Sequence, residues 1–270
     1  MPRYIPKKEY NLRSSFEGTG GNLYTQKAVD ALVLWMEMLP VPRDLGPNSL
    51  TVSYEDSPTA GGPQVLTLGG SERYTVTFSD TANSNGKVNA NAALSHSSLG
   101  SGGTPAAGTD KAFSVSMWIN FDDLASDTDQ YIFAKGTNGT NYEYYGRWVS
   151  GYFTFLLDDQ ANSAWQFIRT AVHTTSEKNA KSGRWHHYVF VYDGRGGTSA
   201  KSGMKIYIDG EDVTATVHST GTYVGMQPQH ATHLYVGASY TSTGEVTGQM
   251  AEFAMWDDRA LSQTEIKAIY

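Results

Sequence analysis

Tyr142, Tyr144, Tyr145 and Trp148 fall within one short run, NYEYYGRW (141–148), beside an Asn-Gly turn. Aromatic faces with amide and guanidinium groups close by stack on sugar rings and hydrogen-bond their hydroxyls, so this run is a candidate carbohydrate site. The same four residues would also build a purely structural aromatic hairpin, and both readings stay open. Hydrolysis of a glycosidic bond needs two carboxyls, one to protonate the leaving oxygen and one to attack or to activate water. Glu143, Glu211, Asp212, Glu245 and Glu252 are isolated or lie in turns, so no such pair is visible.

Metal chemistry has thinner support. Calcium takes about six to eight oxygens from loop carboxylates and carbonyls. The acid pairs Asp122-Asp123, Asp158-Asp159 and Asp257-Asp258, and the closely spaced Asp127 and Asp129, read as solvated turns, which leaves Asp80, Asn83 and Asn85 as weak candidate ligands. His186 and His187 are adjacent in a strand pattern, so their rings point to opposite faces and cannot chelate one ion. His230 and His233 could share an ion only from a helical bend, which Pro228 and the following strand disfavour. There is no cysteine, no Ser-His-Asp constellation, no Walker loop and no dinucleotide fingerprint. No enzymatic activity and no cofactor are expected, with calcium left open at the Asp80 cluster.

The elements that must position these residues are strands. FSVSMWINF (113–121) puts Phe113, Val115, Met117, Ile119 and Phe121 on one face, and a slip of one residue would move the whole set into water. YIFAKG (131–136), GYFTFLLDD (151–159), AWQFI (164–168), LYVGA (234–238) and MAEFAMW (250–256) continue the pattern. Ser262 and Glu265 form a capping box that opens a short helix, whose Ile266 and Ile269 can dock on the sheets. Ahead of the strands, the run from Thr25 to Leu39 reads as the one long helix, stopped by Pro40 and Pro42. Its apolar arc is wide. It either packs on its own domain or, with Leu32, Trp35, Met36 and Leu39, forms an assembly interface. Residues 1–24 read as a mildly basic extended arm, and 51–64 as a Gly- and Pro-broken linker. The expected organisation is 1–50 as arm and helix for anchoring or assembly, 51–64 as linker, and 65–270 as a domain with its own core.

Three motifs in the last third agree in order and spacing with one family. GRWHHYVFVYDG (183–194), MKIYIDG (204–210) with its Asp-Gly turn, and GQMAEFAMWDDRALSQTEI (248–266) resemble the concanavalin-like, laminin-G-type module. The resemblance implies an all-β, two-sheet antiparallel jelly-roll sandwich, and it covers roughly 65–270. It also implies a Phe-Asp-Gly turn where this chain has FSDTANSNGKVNAN (78–91). An acid pair that often helps to bind calcium belongs near the start of the last strand. Ala251 and Glu252 stand there instead, which removes the first acid. Glycoside hydrolases on this fold carry alternate carboxylates on one strand, a spacing that no strand here shows.

Bulk properties narrow the function. A net charge of −7 gives no uniform basic field for nucleic acid. The apolar run at 28–39 is too short and too charged to span a bilayer, and no export signal opens the chain. Absence of cysteine favours synthesis in a reducing cytoplasm. Similar sandwiches in bacterial viruses are fused to short anchoring segments on decoration, head-fibre and tail proteins. The reading is therefore a structural virion protein, an outer capsid decoration subunit at the virion surface. Its partners would be major capsid or other virion proteins, further copies of itself, and host-surface carbohydrate. A free carbohydrate-binding lectin is the alternative, and a glycoside hydrolase comes third.

Overall fold

The computed structural model describes residues 31–38, 42–55, 65–68, 71–79, 84–97, 108, 110–126, 128–137, 141–240 and 244–270. Period-two apolar runs broken by Gly, Asn and Asp turns give strands nearly throughout. In chain order they are β1 (Leu32–Glu37), β2 (Arg43–Asp44), β3 (Val52–Glu55), β4 (Val65–Leu68), β5 (Ser71–Tyr74), β6 (Val76–Phe78) and β7 (Asn85–Val88). There follow β8 (Phe113–Phe121), β9 (Gln130–Thr137), β10 (Asn141–Val149), β11 (Tyr152–Asp159), β12 (Ala164–Thr170), the helix α1 (Thr175–Lys181) and β13 (Trp185–Tyr192). The last are β14 (Met204–Ile208), β15 (Glu211–Asp212), β16 (Thr214–Thr220), β17 (Leu234–Val236), β18 (Gly248–Asp257) and the helix α2 (Gln263–Ile269).

Two antiparallel sheets result. The first runs β15-β14-β13-β8-β18-β1-β2, with β6 also paired to β18, and the second runs β16-β12-β11-β10-β9-β17-β7-β3. β4 and β5 form a separate hairpin. The core lies between the sheets and is dominated by aromatic side chains, among them Phe113, Phe121, Phe133, Tyr144, Trp148, Phe153, Phe155, Tyr188, Phe190 and Tyr192. β8 carries its expected face, Phe113 to Phe121, entirely into this core. Asp209 and Gly210 have φ of 51° and 79°, the two positive values that a two-residue type I′ hairpin requires, so the Asp-Gly turn closes β14 onto β15 as its sequence suggests. At Gly146 a Cβ would stand 2.5 Å from the Phe133 ring, so only glycine lets β10 lie this close to the core aromatics.

The segment before residue 65 corrects the expectation of a helix. Residues 32–37 are a strand, β1, paired to β18 through Leu34↔Met255, Trp35↔Ala254 and Met36↔Phe253. Leu34, Met36 and Met38 enter the main core, while Leu32 and the half-buried Trp35 join a second cluster on the outer side of the same sheet. There α2 lays Ile266 over Leu32, Val189, Tyr207 and Trp256. Leu32, Trp35 and Met36, expected to meet another chain, are thus taken up by their own domain, and Leu39 lies outside the described residues. The physical reason is that a strand covered on both faces has the same unbroken apolar run as a buried helix. The division at residue 65 moves with it. β3 pairs with β7 inside what reads as linker, so both sheets draw on residues 32–55.

The expected capping box is present at the start of α2, where Ser262 Oγ accepts from the Glu265 N–H and the Glu265 carboxylate accepts from the Ser262 N–H. A further capping box, Thr174 with Glu177, opens α1. Among the described residues no helix is long and apolar enough to cross a membrane.

Candidate functional site

β10 splits the aromatic run between two environments. Tyr144 and Trp148 point inward, fully buried, with Tyr144 donating to the Leu94 carbonyl at 2.7 Å. Tyr142 and Tyr145 point outward, because an irregularity between Tyr142 and Tyr144 leaves Glu143 out of the alternation. The four residues expected to act together therefore divide. Two are core, as in the structural hairpin reading, and two reach a groove on the outer face of the second sheet.

That groove, of about 420 Å³, lies across β9, β10, β11 and β12. Its side chains stand in register. Tyr145, Leu156 and Phe167 form one row, Arg147, Thr154 and Arg169 the next, and Asp158 and Trp165 a third. Tyr131, Tyr142 and Tyr145 make a floor of mutually packed rings, with centroids 5.2–6.1 Å apart. Arg147 lies over two of them, at 5.3 Å from the Tyr131 centroid and 5.2 Å from Tyr145, and is paired to Asp129 at 2.8 Å. On β12, Trp165 stands 37% exposed. Phe167 stacks on His218 of β16 at 4.6 Å, and the Arg169 guanidinium rests over Tyr152 and Phe167 at 5.1 and 4.9 Å. The floor is thus rigid and apolar, Trp165 offers an open ring, and two guanidiniums supply donors along one row.

Of the residues that line this groove, Tyr142 and Tyr145 are among the sequence candidates and Trp165, Phe167 and Arg169 are not. Their signal was present in AWQFIRT, where the three alternate on one face of a recognisable strand.

Asp158 marks the acidic end of the groove. Burial, reinforced by the adjacent Asp159, pushes the Asp158 carboxyl up from its ordinary 3.8 to about 7. Burial also pushes the Tyr142 phenol up to about 12. For Asp158 the folded state holds the proton more tightly than the unfolded chain. Its contribution to stability is therefore full below about pH 3.8 and is lost as pH rises through about 7. Asp158→Asn is accordingly expected to raise the melting temperature at pH 8 and to leave it nearly unchanged at pH 3.5, as read by calorimetry at the two pH values.

Buried polar residues tie the strands to neighbouring loops. Glu143, fully buried, accepts from Ser95 Oγ and from the backbone N–H groups of His96, Ser97 and Gln229 at 2.6–3.1 Å. Beside it, the Lys135 ammonium donates to the carbonyls of Gln229 and Thr232 at 2.8 and 2.6 Å. Burial draws its pKa down to about 8 against the opposing pull of Glu143. Asp110 collects the Tyr192 and Tyr223 hydroxyls and the Met226 N–H at 2.6–2.8 Å.

No group of three or more His, Asp or Glu that could hold a metal comes together among the described residues. Asp80 and Asn83 lie outside them, and Asn85 is fully buried in β7. Glu252 occupies a bulge of β18 with φ of 52° and accepts from Trp35 Nε1 at 2.7 Å, so that side chain is committed to β1. His186 and His187 do point apart, the first to Asp209 at 2.6 Å and the second to Ser116 Oγ at 2.7 Å. Among the described residues that line the groove there is one carboxylate, Asp158, where glycoside hydrolysis needs two.

Solved structures share this architecture. The binding domain of Paraclostridial mosquitocidal protein 1 superposes with a TM-score of 0.59 at 15% identity, over 88% of this chain and 51% of that one. A botulinum neurotoxin type C structure, described as showing that cell entry depends on interaction with two ganglioside molecules, superposes at 0.60 and 16% identity, over 90% and 51%. The binding domain of botulinum neurotoxin DC in complex with SialylT gives 0.57 and 15%, over 88% and 50%. At such identities the likeness is one of fold, and the chain spans about half the length of these domains. No curated protein matches the sequence. A laminin G family profile matches residues 85–267, most of the chain, and on that match the protein belongs to the Concanavalin A-like lectin/glucanases superfamily.

Proposed function

We propose that the protein is a non-catalytic carbohydrate-binding module whose ligand lies in the groove across β9 to β12. The observation that carries this reading is the row structure of the groove. An open indole, Trp165, and a packed aromatic floor stand in fixed register with two guanidiniums on a rigid sheet. Sugars present apolar ring faces and a belt of hydroxyls, which such a surface matches. The lone lining carboxylate argues for binding without hydrolysis. Ganglioside and SialylT appear in the descriptions of the toxin structures of the same fold, which lends the reading further support.

The test is a glycan panel followed by titration calorimetry with Trp165→Ala. Trp165 is exposed enough that its loss leaves the sandwich intact, so the melting temperature is expected to hold while affinity falls about tenfold. Undiminished binding by a folded Trp165→Ala protein would place the ligand elsewhere.

We propose in addition that this module is displayed on a virion, as an outer capsid decoration subunit among capsid proteins and further copies of itself. The cysteine-free chain and the mildly basic sequence of residues 1–24, which lie outside the described residues, support this setting, whereas the run 32–37 does not, since it belongs to the core. Mass spectrometry of gradient-purified particles should find the chain at a fixed ratio to the major capsid protein. A chain found free in the lysate and missing from particles would remove the proposal.

A further inference from the structure

We infer that the ligand of this groove is an acidic sugar, and that Arg169 is the group that receives its carboxylate. This inference rests on the carbohydrate-binding reading above. It starts from the unequal treatment of two arginines in one row. Arg147 and Arg169 face outward on either side of Thr154, two strands apart and so about 10 Å between backbones. Arg147 is answered within the protein by the Asp129 carboxylate at 2.8 Å and the Tyr131 hydroxyl at 3.1 Å. Arg169 makes neither an ion pair nor a hydrogen bond among the described residues. Asp158, the acid of the groove, sits four residues along β11 from Thr154, about 13 Å away.

A half-buried guanidinium without a counter-charge costs desolvation energy that folding alone does not return. Here it is also held in place. Tyr152 and Phe167 pack against it, and its Nε is shielded from water with no partner. Fixing the plane of the fork before a ligand arrives lowers the entropy lost on binding. What remains is a set of planar donors at one end of an aromatic groove, a geometry that fits a carboxylate on a ring. The far end, with Asp158 beside Trp165, offers an anion no positive charge and suits a neutral sugar ring. The groove is therefore polar along its length and orients the ligand with the acid at Arg169.

Calorimetry with the full chain tests this using sialyllactose, digalacturonate and lactose. A sialic acid or uronate ligand is expected to bind about tenfold to a hundredfold more tightly than lactose, as for hydrogen bonds to a charged group. Arg169→Gln should abolish that preference, lowering affinity for the acidic sugars far more than for lactose, with the melting temperature close to that of the parent. Arg169→Lys keeps the charge and the stem but not the fork, and should lose most of the preference too. Equal binding of acidic and neutral sugars, or a preference that survives Arg169→Gln, would overturn this inference and leave the carbohydrate reading standing. Failure of all three sugars, and of a wider neutral and acidic panel, would remove both.

Discussion

A chain cut to residues 60–270 is expected not to fold. It lacks β1, β2 and β3, and with them Leu32, Val33, Leu34, Met36, Met38 and Leu50, all buried in the intact protein. Each such side chain contributes about 1.5–3 kcal/mol on burial, so their joint loss is of order 10 kcal/mol. The whole stability of an ordinary domain is about 5–15 kcal/mol. The cut also strips β1 from β18 and uncovers Trp256, Met255 and Phe253 along an unpaired edge, which invites association. Residues 31–270 retain every described strand and serve as the control. Size exclusion and thermal unfolding should give a cooperative monomer or defined oligomer for 31–270 and an aggregated or molten product for 60–270. A cooperative transition from 60–270 close to that of the full chain would show that β1 is dispensable.

The same segment shows where a single sequence stops being informative. Elements with a polar residue at every second place, or with a turn or cap of fixed chemistry, were readable: β8 because Ser114, Ser116 and Asn120 alternate with its core face although most of its other face is buried too, β14 by Asp209-Gly210, α2 by Ser262 and Glu265. β1 was not, because the main core covers one face and α2 with its cluster covers the other, leaving an apolar run without a period. In β10 the sequence showed four aromatic residues but not their facing. The irregularity at Glu143 shifts the alternation, sending Tyr142 and Tyr145 outward and Tyr144 and Trp148 inward, and nothing local in NYEYYGRW announces it. Arg169 was harder still. Its significance lies in what it fails to meet on neighbouring strands, and pairing partners separated by long loops are not written in either strand.

Glu143 is where that irregularity can be tested, and Glu143→Ala is expected to destabilise the protein by about 3–5 kcal/mol. The carboxylate is fully buried and gathers Ser95 Oγ with three backbone N–H groups from two separate loops. Its removal leaves those donors unpaired in a dry site, each at a cost of about 1–3 kcal/mol before relaxation. It also takes away the negative charge that favours the ammonium form of buried Lys135. For a chain of this size the melting temperature should fall by roughly 10 °C. Glu143→Gln keeps the shape and one acceptor oxygen, and should fall between parent and alanine variant. Because Glu143 sits between Tyr142 and Tyr144, the groove floor should loosen with it. Glycan affinity measured well below the melting point of the variant is then expected to drop, although Glu143 touches no part of the groove. An alanine variant that kept both its stability and its affinity would mean that β10 holds its facing through the core packing of Tyr144 and Trp148 alone.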